Sequence, residues 1–470
     1  MLPTIATGNV ASALPTGYNV DNSVRLDGNA YLHKTQSGGN RKTWTISCWT
    51  KLTGGYGSNG GMLMACDGLN DNTNFLFGID NGGHSGSATD TLSLHIYGAD
   101  GFRTTPLLRD YSAWYHVVLA SDNTQATSTN RLKLYVNNVQ ITLSEQGDYP
   151  AENQDVGVNN SGTVIGVGTH PGSITTYALN SYLAEYCLID GLQLTPSSFG
   201  EYDEDSPTIW KPKDVSGLTF GTNGFYLDFK DSANLGNDAN GGTDLTEVSL
   251  DATDQSTDTP TNNFCVMNRL EPWSNPNNFS QGNCMLSGPA GSWQLSRGSM
   301  GFSKGKWFWE VRYEGGTVGN YHSGVSDETA NNFGGTHNQA GCTTLYNGDS
   351  GEMYYGSADS FTSADYGSIN TSSDVLGVAC NFDDGVISYY INGSIIITNY
   401  ALDSTTNNKN TLFPLSVQHG SSQVTKYNFG GSPAFTVSSG NTDGAGYGNF
   451  EYAVPSGYYA LCTKNLATYG

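Results

Sequence analysis

Glu201, Asp203 and Glu204 crowd into the stretch EYDEDSP. Closely spaced carboxylates are what glycoside hydrolysis needs, one to protonate the leaving oxygen and another to serve as nucleophile or base. On a strand, the period of two would put Glu201 and Asp203 on one side and turn Glu204 to the other. Pro207 follows at once, and the segment reads as a loop, so no catalytic residue is expected here. The sequence holds no Gly-x-Ser-x-Gly elbow and no His-Glu-x-x-His. Its Gly-rich stretches lack the following helix that phosphate-binding motifs require. The chain is read as a non-enzyme.

Binding chemistry has better material. Aromatic faces stack on sugar rings while amides and carboxylates pair with hydroxyls, and a shallow surface with few fixed polar groups suffices. Tyr321 and His322 in GGTVGNYHSG, and Tyr346, Asp349, Tyr354 and Tyr355 in TTLYNGDSGEMYYGSADSF, are the candidate carbohydrate-binding residues. The same tyrosines also suit the cover of a sandwich or a subunit interface. Calcium is the one ion with a foothold, because it wants several oxygen ligands. Asp67 and Asp71 in CDGLNDNTN, with Asn70 and Asn72, and Asp80 with Asn81 after the next strand, could supply them, although Asp and Asn are also ordinary turn formers. No other cofactor is expected. His116 in WYHVVL and His419 in VQHG lie in strand-like text and are read as hydrogen-bonded structural residues. The eight cysteines show no metal-type spacing. Several stand inside apolar runs such as TISCWT and GVACNF, as buried free thiols do.

The elements that must position these residues are strands. LKLYVNNVQIT at 132–142 and ISYYINGSIII at 387–397 repeat one phrase: an alternating run, two residues of Asn-Asn or Asn-Gly, and a second β-branched run. This spells a β-hairpin with a type I′ turn, which needs positive φ at both central positions. TWTISCWTKL would direct Trp44, Ile46 and Cys48 to one side. GKWFWEVRYEGG would direct Trp307, Trp309, Val311 and Tyr313 to one face, with Phe308, Glu310 and Arg312 on the other. Strand-length runs bounded by turn residues recur along the chain, and 60 glycines with 13% charged residues fit an all-β protein. At 470 residues two domains are expected. An irregular arm occupies residues 1–17, one β-sandwich residues 18–235, a polar linker 236–263 and a second sandwich 264–470.

Forty-three acidic residues against 20 basic ones give a formal charge of −23. Such a surface repels phosphate backbones and anionic headgroups, so neither nucleic acid nor membrane is an expected partner. No stretch has the roughly 18–20 apolar residues of a membrane helix. The start, MLPTIATGNVASALPTGYNVDNS, has neither a basic n-region nor an apolar h-region and is not read as a signal peptide; synthesis in the cytoplasm is expected.

SVRLDGNAYL, TWTISCWTKL, WYHVVLASD, NRLKLYVNNVQI and YLAEYCLIDGLQLTPSSFGEY, in that order, resemble the laminin-G-like members of the concanavalin A-like lectin and glucanase superfamily. GKWFWEVRYEGG, SGVSD, DVLGVACNFDDGVISYYINGS and LFPLSVQHG resemble a SPRY-type domain, itself a concanavalin A-like sandwich. The resemblance implies two jelly-roll sandwiches in tandem. It also implies that calcium could sit at a sandwich rim. Laminarinase-like relatives carry Glu-x-Asp-x-x-Glu, and here the third carboxylate, Glu204, comes one position early. The joining text, LDFKDSANLGNDANGGTDLTEVSLDATDQSTDTPTNNFCVMN, and the arm resemble those of tail-fibre or appendage proteins of tailed phages, marine ones in particular. What that resemblance implies is a virion protein, made in the host cytoplasm. It would be held to other virion proteins through residues 1–17, trimeric by analogy, and would contact host surface polysaccharide. A capsid decoration or head-fibre protein and a glycan depolymerase are the alternatives.

Overall fold

The computed structural model describes residues 17–68, 73–81, 89–96, 101–143, 149–270, 278–288, 293–314, 321–327, 343–355, 360–362, 364–369, 371–402, 411–419 and 423–470. The arm proposed at 1–17 lies, but for Gly17, outside them. Two compact units divide the chain between Thr261 and Asn262. Nearly all regular structure is antiparallel β, as the sequence predicts.

In the first unit one sheet runs Val139–Ile141, Leu132–Val136, Trp114–Asp122, Thr43–Leu52, Asn180–Asp190, Ser23–Asp27 and Gln255–Ser256, with Phe225–Leu227 beside Asn180–Asp190. The second runs Thr246–Val248, Tyr31–Thr35, Val164–Val167, Gly61–Cys66, Phe75–Asn81, Thr89–Ile96 and Phe102–Leu107. Trp44, Ile46 and Cys48 enter one apolar core with Phe75, Phe77, Val117, Leu119 and Leu183. The Trp44 and Phe75 rings meet edge-on at 5.4 Å. Fully burying one such side chain is worth about 1.5–3 kcal/mol, so this core dominates the stability of the unit.

Residues 236–261 correct the reading of a polar linker. Leu245 joins the core, Thr246–Val248 pairs with Tyr31–Thr35, and Gln255–Ser256 pairs with Ser23–Asp27. The anchor is ionic: Lys51 and Asp258, both fully buried, meet at 2.7 Å, and the Trp114 indole donates to the other Asp258 oxygen at 3.0 Å. Strands of two or three residues held by a buried ion pair leave no hydrophobic period to read.

The second unit repeats the plan. Asn278–Ser280, Met285–Ser287, Val424–Asn428, Lys306–Glu314, Val375–Asn381, Val386–Ile391 and Ser394–Ala401 form one sheet, with Tyr459–Ala460 parallel beside Lys306–Glu314. Trp293–Arg297, Leu412–His419, Tyr321–Asp327, Thr343–Asn347, Met353–Tyr355 and Ser360–Phe361 form the other. Trp307, Trp309, Val311 and Tyr313 lie in the core as their alternation predicts. The opposite face of that strand is covered too. Phe450 meets Phe308 edge-on at 5.3 Å, and Glu310 accepts the N–H groups of Glu451 and Tyr452 at 3.0 and 2.8 Å and the Asn428 amide at 2.9 Å. Burial pushes the Glu310 carboxyl up to about 7 although these donors pull it down. Near the C-terminus the strand Tyr459–Ala460 is followed by the helix Thr463–Tyr469.

Both repeated hairpins form. Asn137 and Asn138 have φ of 47° and 66°, and Asn392 and Gly393 have 50° and 77°, as a type I′ turn requires. In each, the first Asn also clamps the neighbouring strand. The Asn137 N–H donates to the His116 carbonyl at 2.9 Å and its side-chain oxygen accepts the His116 N–H at 2.8 Å. Asn392 repeats both bonds with Val375, at 2.9 Å each.

Candidate functional site

The segment read as a loop around Glu201 is a hairpin, Gly200–Tyr202 paired with Trp210–Pro212. Asp203 is buried, with one oxygen 3.0 Å from the Lys211 ammonium and the other accepting the N–H groups of Asp205 and Ser206 at 3.0 Å each. Its oxygens are thus committed to fixing the turn. Glu201 lies 3.8 Å from Lys211 and is half-buried, while Glu204 is exposed. The hairpin closes over an aromatic stack. Gly200 lets Trp210 lie against the backbone, since a Cβ there would come within 2.6 Å of the indole. The Trp210 indole donates to His116 at 3.0 Å, and the far nitrogen of that imidazole meets Ser47 Oγ at 2.9 Å. Burial lowers the His116 pKa to about 3, so the ring is neutral and structural.

The six carbohydrate candidates of the second unit do not share one surface. Tyr321 and Tyr346 point into the core, where Tyr321 stacks on Tyr313 at 3.9 Å and the Tyr346 hydroxyl donates to the Gly367 carbonyl. Neither ring offers a face to solvent. His322 and Tyr354 do come together, edge to face at 4.9 Å, on the opposite side of the sheet, and both are buried. Asp349 is exposed in the turn after Thr343–Asn347, and Tyr355 is half-buried. The alternation of YHSGVSD already separates Tyr321 from His322.

The calcium candidates separate as well. Cys66 pairs with Phe75 and Gly61 with Ile79, so Asp67 and Asp80 stand at opposite ends of two paired strands, roughly 20 Å apart at about 3.3–3.4 Å per residue. Asp80 is buried against Arg103 at 3.4 Å, and Asp71 lies outside the described residues. Asp67 and Asp80 therefore cannot share an ion. Among the described residues no group of three His, Cys, Asp or Glu side chains is arranged to hold a metal. The cysteines described, Cys48, Cys66, Cys187, Cys265, Cys284, Cys380 and Cys462, are free and buried, as expected.

Sequence reasoning missed a feature on the outer face of the second sheet of the first unit. It is a shallow depression of about 20 Å³, room for a water or two, with the buried Met62, Leu76, Leu94 and Phe102 as apolar lining and Asn59, Ser93, His95 and Arg103 as polar lining. The signal was available only as the register of four successive strands, which the sequence does not print.

A family model described as SPRY domain matches residues 306–432. One described as concanavalin A-like lectin/glucanases superfamily matches residues 26–178. No curated protein matches the chain. Among solved structures, the chain is similar to the SPRY domain of human HERC1, at 18% identity over 30% of this chain and 86% of that one, with a TM-score of 0.26. A putative carbohydrate binding protein from Bacteroides ovatus is 18% identical over 50% of this chain and 59% of its own length, with a TM-score of 0.35. A heptameric SAP-like pentraxin from Limulus polyphemus is 15% identical over 38% and 80%, with a TM-score of 0.28. Likeness at this level says nothing about ligand or partner. In the described residues no helix is long and apolar enough to cross a membrane. With two matched family models on two separate sandwiches, the chain carries a laminin-G-like domain of the concanavalin A-like lectin superfamily and, C-terminal to it, a SPRY domain.

Proposed function

We propose that this chain is a non-enzymatic recognition protein of a virion appendage, of the tail-fibre type, that binds host surface glycans. The supporting observation is a lectin-type sandwich, with residues 26–178 matching the concanavalin A-like lectin/glucanases superfamily, whose outer face carries only a shallow depression of mixed lining. Such a surface suits binding, which needs shape and a few fixed polar groups. Hydrolysis would need a second carboxylate beside Glu201, and Asp203 is committed to Lys211 and a turn. The virion setting, attachment to other virion proteins through residues 1–17 and assembly as a homotrimer rest on the resemblance of the sequence. Several copies acting together would turn weak sugar contacts into firm attachment. The reading invokes no cofactor.

The test is binding of the purified full chain to host cells, to host cells stripped of surface polysaccharide, and to non-host cells. Selective binding that vanishes on stripping is the expected result. Absence of binding at high multivalent loading would overturn the reading in favour of a decoration protein that grips other virion proteins.

A further inference from the structure

Lysine is almost never fully buried unless something holds its ammonium, and the Lys51 side chain is 0% exposed. The alternation that sends Trp44, Ile46 and Cys48 into the core turns Lys51 to the opposite face of its sheet. There its neighbours are aromatic: Tyr182 stands beside it on one strand and Trp114 on the other. Lys51 Nζ lies 5.7 Å from the centre of the Tyr182 ring. Asp258, 1% exposed, brings Oδ2 to 2.7 Å from that nitrogen, and its Oδ1 accepts the Trp114 indole N–H at 3.0 Å. The backbone that carries Asp258 is fixed as well. Its N–H donates to Ser256 Oγ at 3.0 Å, and its carbonyl accepts the Ser23 hydroxyl at 2.6 Å. An amine and a carboxyl are thus pressed together out of water, with little freedom to part.

We propose that Lys51 and Asp258 condense to an amide, a covalent bond that ties the strand Thr43–Leu52 to the C-terminal end of the first unit. A proton first passes from the ammonium to Oδ2 along the 2.7 Å contact, giving the uncharged amine and acid that burial favours. The amine nitrogen attacks Asp258 Cγ, and the Trp114 N–H bears the charge that develops on Oδ1. The Cγ–Oδ2 bond then breaks, and Oδ2 takes a second proton from the nitrogen and leaves as water. The third ammonium proton stays on the amide nitrogen, and nothing is oxidised or reduced. Between free solutes in water this condensation is unfavourable, but groups held ~3–3.5 Å apart react with an effective molarity of about 10⁵–10⁸ M. Exclusion of water then protects the product from hydrolysis. A second buried pair, Lys211 and Asp203, lacks these conditions. One Asp203 oxygen accepts two backbone N–H groups, and Lys211 lies 3.8 Å from a further carboxylate, Glu201. Both contacts favour the charged forms, so that pair stays ionic. The proposal is independent of what the protein binds.

The full chain, purified and denatured, is weighed by mass spectrometry and then digested with trypsin. The expected mass is that of the sequence less one water. Trypsin does not cut after an acylated lysine, so residues 43–103 are expected to be joined to residues 231–269 in one branched peptide. Lys51→Arg keeps a cation beside Asp258 without the amine, and is expected to show the full mass and to release 231–269 as a free peptide. A wild-type chain of full mass that trypsin cuts after Lys51 overturns the proposal. So does a lost water that maps to Lys211 and Asp203 or to any other pair. The wild-type mass and peptide map decide the matter even where K51R does not fold.

Discussion

Glu185 is a carboxylate that the fold has taken out of water. It sits in a bulge of the strand Asn180–Asp190, at a φ of 50°, and accepts the Tyr226 hydroxyl at 2.8 Å and the Tyr18 hydroxyl at 3.2 Å. Burial pushes its pKa up to about 7, while the two hydroxyls and Lys230 pull it down. The folded-state value lies above the ordinary 4.5, so the native state holds the proton more tightly than the unfolded chain. This contribution to stability is full below about pH 4.5 and is lost as the pH rises through 7, in total ~3 kcal/mol. Urea unfolding at pH 5 and pH 8 should show the wild type losing stability with rising pH and Glu185→Gln losing markedly less. Lys211 presents a second residue-scale case. Lys211→Met removes the cation from a buried Asp203 and should cost about 3–5 kcal/mol in the same assay. Glu201→Gln, at a half-buried position 3.8 Å from Lys211, should change stability by less than about 1 kcal/mol. These ionic contacts were not legible in the sequence. EYDEDSP shows three acids, and only the hairpin shows which one Lys211 buries.

The two hairpins were the most legible elements, because an Asn-Asn or Asn-Gly turn between alternating runs has one structural solution. What the text could not show is the second use of the turn. Asn137 and Asn392 each satisfy both backbone groups of a residue on the adjacent strand, His116 and Val375. Asn392→Ala would lose the side-chain acceptor and strain a position at φ 50°, for a cost of roughly 1–3 kcal/mol. Differential scanning calorimetry should show the transition of the SPRY-type domain moving down and that of the lectin-type domain staying in place; Asn137→Ala should do the reverse. Tyr321 and Tyr346 illustrate the opposite limit. A tyrosine in loop-like text can stack on a sugar or fill a core, and the partner across the sandwich that decides, Tyr313 for Tyr321, is eight residues away on another strand.

At the scale of the molecule, two sandwiches were readable from strand count and turn spacing, while their boundary was not. Composition placed a linker at 236–263, where the chain instead adds two short strands and Asp258 to the first unit. A fragment of residues 15–261 should therefore unfold cooperatively, whereas residues 15–235, lacking Asp258 and leaving Lys51 buried without it, should give no cooperative transition by circular dichroism. The outer-face depression was equally illegible, since the register of four successive strands, Gly61–Cys66, Phe75–Asn81, Thr89–Ile96 and Phe102–Leu107, must be set before it exists. The central claim is recognition of a glycan without its hydrolysis. It is tested most directly by incubating the full chain with purified host surface polysaccharide and measuring, in one sample, the bound fraction and the reducing ends released. Saturable binding with reducing ends at the level of a protein-free control is the predicted result. Release of reducing ends that Glu201→Gln abolishes, or no binding at any concentration, would contradict it.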